Sequence, residues 1–256
     1  MGILEGKRVL VTGVTSANSI AYHVARMAQD EGAKVVVSNF GRALSLTRRV
    51  VQRLDPTPAV IELDITDPAQ LAALPGQIET TLGRLDGLVH SIAYANPETA
   101  LGGKFLSTEW VDVAESLRVS SFSMVELVRA CAPVLEDDAS VVGLTFDGSL
   151  SWSSYDWMGV AKAALESISR YLARYLGGRG IRSNLVSAGP INSLAKRAIP
   201  GSDEIDLAWI KHAPLAWDAD DQEPPAKAVV ALLSDWFPKT TGHVLYVDGG
   251  VHSIGS

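Results

Sequence analysis

The chain alternates short β-branched runs with longer stretches of helical period, and no other feature limits its fold as much. Residues 8–12, 34–38, 59–63, 87–91, 140–144, 182–186 and 244–247 read as strands. Most are apolar almost without a break, the pattern of strands buried on both faces. Helices are expected between them: 19–31, about 43–54, one opened by Asp67-Pro68, a long one over 111–135, another over 155–176, and one near 225–233. In the first, Ile20, Val24, Met27 and Ala28 share a face, and Gly32 stands where helices commonly end. Proline after Asp67 suits a first helical position. Strand–helix alternation of this kind builds a doubly wound parallel sheet, so the expectation is an α/β fold with a single domain over residues 1–256.

Bulk properties narrow the function classes. Hydrophobic residues form 47% of the 256 and charged residues 20%, an ordinary globular balance. No apolar run approaches the ~20 residues of a membrane-spanning helix. Residues 1–8 carry no apolar segment ahead of a cleavage site, so a cytoplasmic location is expected. A net charge of −7 argues against a general nucleic-acid or anionic-membrane surface. Cys131 is the sole cysteine and reads as core filler. The five histidines show no ligand spacing, so no metal site is expected.

Ligands of doubly wound sheets bind beyond the carboxyl ends of the strands. Attention therefore falls on Gly13, Phe40, Asp64, Ser91, Phe146 and Ala188. After the first strand, Gly13 can supply a tight turn, and Asn18 or Ser19 can cap the helix whose N-terminus would face a phosphate. The segment is not G-x-G-x-x-G, so alone it fits a plain strand–helix turn equally well. The second strand ends without the usual ribose-binding carboxylate. Arg42 can accommodate a 2′-phosphate or be a solvated charge. Asp64 can meet an adenine amino group or open the turn before Pro68. Tyr155 and Lys162 lie seven positions apart, about two helical turns, so both point the same way. An ammonium there can hold ribose hydroxyls, and a phenol can bond a substrate oxygen that gains charge. By spacing alone, an amphipathic helix with a snorkelling lysine fits as well. Residues 189–217 are the least regular stretch and suit a substrate-binding lid.

At these residues the chain resembles the enoyl-acyl-carrier-protein reductases, a branch of the short-chain dehydrogenase/reductase superfamily with a Rossmann-type fold. The likeness covers essentially the whole chain. Gly13 to Ser19-Ile20-Ala21 looks like this family's variant glycine loop. His90-Ser91-Ile92-Ala93 stands where typical short-chain dehydrogenases carry Asn-Asn-Ala-Gly, and Tyr155-x₆-Lys162 replaces their Tyr-x₃-Lys. Ser183 to Ile191 and Thr241 to Gly250 complete the pattern.

The resemblance implies reduction of the trans-2 double bond of an enoyl thioester with hydride from NADH in fatty-acid synthesis, leaving NADPH open. It implies that Gly13, Ser19 and Ile20 hold the pyrophosphate, that Phe40 flanks the adenosine, and that Asp64 and Ile65 contact the adenine. Ser91, Ile92 and Ala93 would lie along the ribose and nicotinamide, Lys162 on the ribose, Ile191 at the carboxamide and Ser193 by the phosphates. Tyr155 would bond the thioester carbonyl, Phe146 would stand beside the nicotinamide, and Met158 and Ile199 would line the acyl pocket. A homotetramer and an acyl carrier protein as partner are implied too, with Lys196 and Arg197 as a candidate docking island for that acidic protein. A paralogue reducing a secondary-metabolite enoyl or keto intermediate, and a non-catalytic nicotinamide-binding regulator, are the competing readings.

Overall fold

The computed structural model describes residues 1–254. The last two residues of the expected 1–256 domain lie outside the described residues. Among the described residues seven strands form one sheet: β1 (Arg8–Thr12), β2 (Lys34–Asn39), β3 (Ala59–Glu62), β4 (Leu85–His90), β5 (Leu135–Thr145), β6 (Arg182–Ala188) and β7 (Val244–Val247). Their order is β3-β2-β1-β4-β5-β6-β7, and every neighbouring pair is parallel. The helices are α1 (Ile20–Asp30), α2 (Gly41–Val50), α3 (Pro68–Thr81), α4 (Trp110–Leu117), α5 (Ser123–Cys131), α6 (Asp156–Leu176), α7 (Leu194–Arg197), α8 (Asp203–His212) and α9 (Glu223–Leu233). Among the described residues no helix is long and apolar enough to cross a membrane.

Side-chain alternation along the strands divides the core into two layers. Val9, Val11, Val35 and Val37 pack with α1 and α9. Their alternates Leu10, Val36 and Leu88 pack with α3 and α5 and with Leu165 of α6. Local chemistry sets the helix starts. Ser19 caps α1 by accepting from Tyr22 N, and Asp67 caps α3 ahead of Pro68.

The expected long helix over 111–135 is not continuous. α4 gives way to a single π turn, Arg118–Phe122, before α5 begins. Pro133 then cannot continue a helix, and β5 has already started at Leu135 rather than at 140. The stretch 189–217 is more regular than its composition suggests, since it holds α7 and α8. Trp217 Nε1 donates to Pro190 O (2.8 Å) and Trp209 Nε1 to Asp248 O (2.9 Å). Gly189 lets both rings approach: a Cβ there would lie 2.6 Å from Trp209 Nε1.

Candidate functional site

The sheet order reverses between β1 and β4, and a cleft of about 480 Å³ opens at that point, beyond the carboxyl ends of the strands. The turn after β1 depends on Gly13. Its φ is 73°, and a Cβ there would sit 1.9 Å from Ser91 O. Thr12 ties the same two strands, donating to Val89 O (2.9 Å) and accepting from Ser91 N (3.1 Å). Ser19 Oγ donates to Ser16 O (2.7 Å) and accepts from Tyr22 N (3.2 Å), which orders the N-terminus of α1. Ser19 and Ile20 line the cleft, so the positive end of an eleven-residue helix faces it.

Phe40, the residue before α2, forms part of the outer wall with its ring partly exposed. Asn39 behind it donates to Val14 O (2.8 Å) and Thr47 Oγ1 (3.1 Å), joining the end of β2 to the glycine loop. Ile65, Ser91, Ile92, Ala93, Ile191 and Ser193 also line the cleft. Asp64 does not. Its Oδ1 accepts from Thr66 N (2.8 Å) and Thr66 Oγ1 (2.7 Å), which closes the turn before α3; its neighbours Leu63 and Ile65 reach the cleft instead. Arg42 is solvent-exposed at the first turn of α2 and does not line the cleft either.

Lys162 faces this cleft from α6 and is only 6% exposed. Its Nζ donates to Leu144 O (3.0 Å). Burial lowers the ammonium to about 8, and the charge of Glu166 acts the other way. Tyr155 is the residue just before α6, not within its first turn. Tyr155 does not line the cleft; it packs in an apolar compartment of closely packed side chains with Phe146, Met158 and Ile199, none of which lines the cleft either. The Tyr155 and Phe146 rings lie 5.1 Å apart. Burial raises the phenol above its ordinary value, so it stays protonated at neutral pH.

The backbone on either side of Tyr155 is strained: Ser154 has φ 62° and Asp156 φ 39°. Such conformations cost about 1–3 kcal/mol each and gather at functional sites. The Asp156 carboxylate answers the strain by accepting from Gly103 N (2.7 Å) and Lys104 N (2.9 Å), which docks the 96–108 loop beside the compartment. Trp157 reinforces this contact by stacking on Phe105 with ring centroids 4.8 Å apart. Trp152 and Trp209 complete the compartment wall around Phe146. Sequence reading missed Asp156 and Trp209. A carboxylate directly after the tyrosine is a visible signal for the first; the second is brought in only by the fold.

The docking pair is split by the structure. Lys196 Nζ donates to Asn192 Oδ1 (2.8 Å) and pairs with Asp206 of α8, so its charge is spent within the 189–217 segment. Arg197 alone of the two is exposed.

Residues 13–252 match the family model described as Enoyl-(Acyl carrier protein) reductase. The chain is 42% identical to the NADH enoyl-[acyl-carrier-protein] reductase of Mycolicibacterium smegmatis, over 97% of each chain. It is also 42% identical to that of Mycobacterium avium, again over 97% of each. A Rickettsia felis enzyme with the same activity in its name is 34% identical over 100% of this chain and 98% of its own.

Proposed function

The chain belongs to the enoyl-(acyl carrier protein) reductase family, and from that premise we propose that it reduces the trans-2 double bond of enoyl thioesters with NADH in fatty-acid synthesis. The observation that carries this reading is a buried ammonium, Lys162, facing the cleft at the point where the sheet order reverses, on the helix that the buried, protonated phenol of Tyr155 directly precedes.

The residues present fit NADH. Gly13 lets the chain turn tightly against Ser91 at the head of the cleft, and the N-terminus of α1 offers a pyrophosphate free N–H groups. Lys162 is the ammonium for the ribose hydroxyls, and Ile191 and Ser193 close the far wall. Arg42 is exposed and does not line the cleft, and the relatives' names specify NADH, which favours NADH over NADPH. When bound, NADH supplies the hydride. Tyr155 donates a hydrogen bond to the thioester carbonyl oxygen as that oxygen becomes enolate-like, and its raised pKa keeps the proton in place for the task. Phe146 holds the Tyr155 ring from one side, and Met158 and Ile199 offer apolar surface to the acyl chain. The 189–217 segment serves as the lid, pinned by Trp209 and Trp217.

The test is absorbance of the reduced nicotinamide with purified protein and trans-2-dodecenoyl thioester. Rapid loss with NADH and slow loss with NADPH is expected. NADH binding without turnover would move the assignment to the regulator reading, and turnover of a ketone in place of the enoyl thioester to the paralogue.

The acyl carrier protein is the partner this chemistry requires, and Arg197 is the remaining exposed cation of the candidate island. Arg197→Glu is expected to raise KM several-fold for the carrier-bound substrate and leave KM for a coenzyme A thioester unchanged, because a rim charge acts on encounter with an acidic protein. Equal changes for the two substrates would remove Arg197 from that role. Self-association, with a homotetramer as the proposed form, draws support from large apolar side chains left in solvent, Trp110 and Val111 on α4 and Tyr171 and Tyr175 on α6 all being more than half exposed.

A further inference from the structure

The π turn Arg118–Phe122 and the residue after it carry three buried serines, each bonded to a different element. Ser120 Oγ accepts from Tyr94 N (2.8 Å) and donates to Tyr94 O (2.8 Å), so one hydroxyl holds both backbone groups of the residue that follows Ser91-Ile92-Ala93. Ser121 Oγ donates to the carbonyl of Ala161 (2.8 Å), the residue before Lys162. Ser123 Oγ spends its proton on Val119 O (2.6 Å) and therefore accepts from His90 Nε2 (2.7 Å), at the end of β4. That assignment leaves His90 Nδ1 buried and unpartnered. Burial lowers the imidazole to about 3, and the charge of Lys162 lowers it further, so His90 stays neutral behind the cleft.

A serine inside a regular helix commonly bonds back to the carbonyl four residues earlier, as Ser123 does. Ser120 and Ser121 instead reach out of the helix, one to Tyr94, the neighbour of the lining residue Ala93, and one to Ala161, the neighbour of Lys162. Neither lines the cleft itself. Single π turns occur disproportionately at functional sites. We infer that the π turn is a strut fixing the loop Ser91–Ala93 against Lys162, with Ser120 and Ser121 as positioning residues for cofactor binding. The inference rests on the reading of this cleft as the NADH site.

The experiment compares Ser121→Ala with Ser140→Ala in the full chain. Ser140 is an equally buried serine on β5 that donates to Leu232 O (2.8 Å) and does not line the cleft. Three quantities are measured: the thermal midpoint, the NADH dissociation constant by nicotinamide fluorescence, and the pH midpoint of Lys162 acetylation by mass spectrometry. Both variants are expected to lose similar thermal stability. Only Ser121→Ala should weaken NADH, by roughly fivefold for one net hydrogen bond, with kcat at saturating NADH nearly unchanged. Only Ser121→Ala should move the Lys162 midpoint, and Ser121→Thr should restore both. Equal NADH affinity and an unmoved Lys162 midpoint in Ser121→Ala would overturn the strut, as would equal losses in both variants. A wild-type protein that failed to bind NADH would instead count against the functional reading, and the Lys162 midpoints would still decide the strut.

Discussion

Lys162→Ala is expected to weaken NADH binding about 10- to 100-fold, the effect of losing charge-assisted hydrogen bonds worth about 1.5–3 kcal/mol. The side chain is buried against Leu144 O, so alanine removes an ammonium that no neighbouring residue of the cleft lining replaces. The same residue gives the binding a pH dependence whose sign follows from burial. The ammonium is needed in its charged form, and its pKa lies near 8 rather than at the ordinary lysine value of 10.5. NADH affinity should be level well below pH 8 and fall as pH rises through it. Lys162→Ala should lack that limb. Fluorescence titration across pH checks both statements. Tight binding by the alanine protein would remove Lys162 from the cofactor site.

Much of this site could be read from residue order because it is built at strand ends. Gly13, Ser91 and Ile191 each follow a strand that the apolar runs mark out, and a parallel sheet carries all such ends to one edge. Spacing alone left Tyr155 and Lys162 open to a plain amphipathic helix, and the family resemblance singled them out; the helix starts one residue after the tyrosine, and of the two only Lys162 lines the cleft. Other features depend on partners far away in sequence. Asp64 offered two equal uses, and a hydroxyl two residues on took its Oδ1. Lys196 looked free until α8 brought Asp206 alongside it. The π turn was hidden for a different reason. Its buried positions are serines rather than apolar residues, and the bonds that stabilise it go to Tyr94 and Ala161, which local sequence does not place nearby.

Tyr155→Phe is expected to lower kcat by about 10²–10³-fold, the usual cost of one lost donor to a developing oxyanion, while KM for the thioester and the NADH dissociation constant change little. The substitution is suited to the question because it removes only the hydroxyl. The ring keeps its place 5.1 Å from Phe146 and its packing with Met158 and Ile199, so the apolar compartment is retained. The strained backbone at Ser154 and Asp156 should persist too, since the Asp156 carboxylate still holds Gly103 N and Lys104 N. Steady-state kinetics with parallel NADH titration separates two outcomes. A loss confined to kcat means that the phenol acts on the transition state. A rise in KM with kcat intact would mean that it binds ground-state substrate alone. Because burial keeps the wild-type phenol protonated, the wild-type rate should also show no limb from Tyr155 ionisation near neutral pH, which leaves Lys162 as the group that sets the alkaline side of the profile.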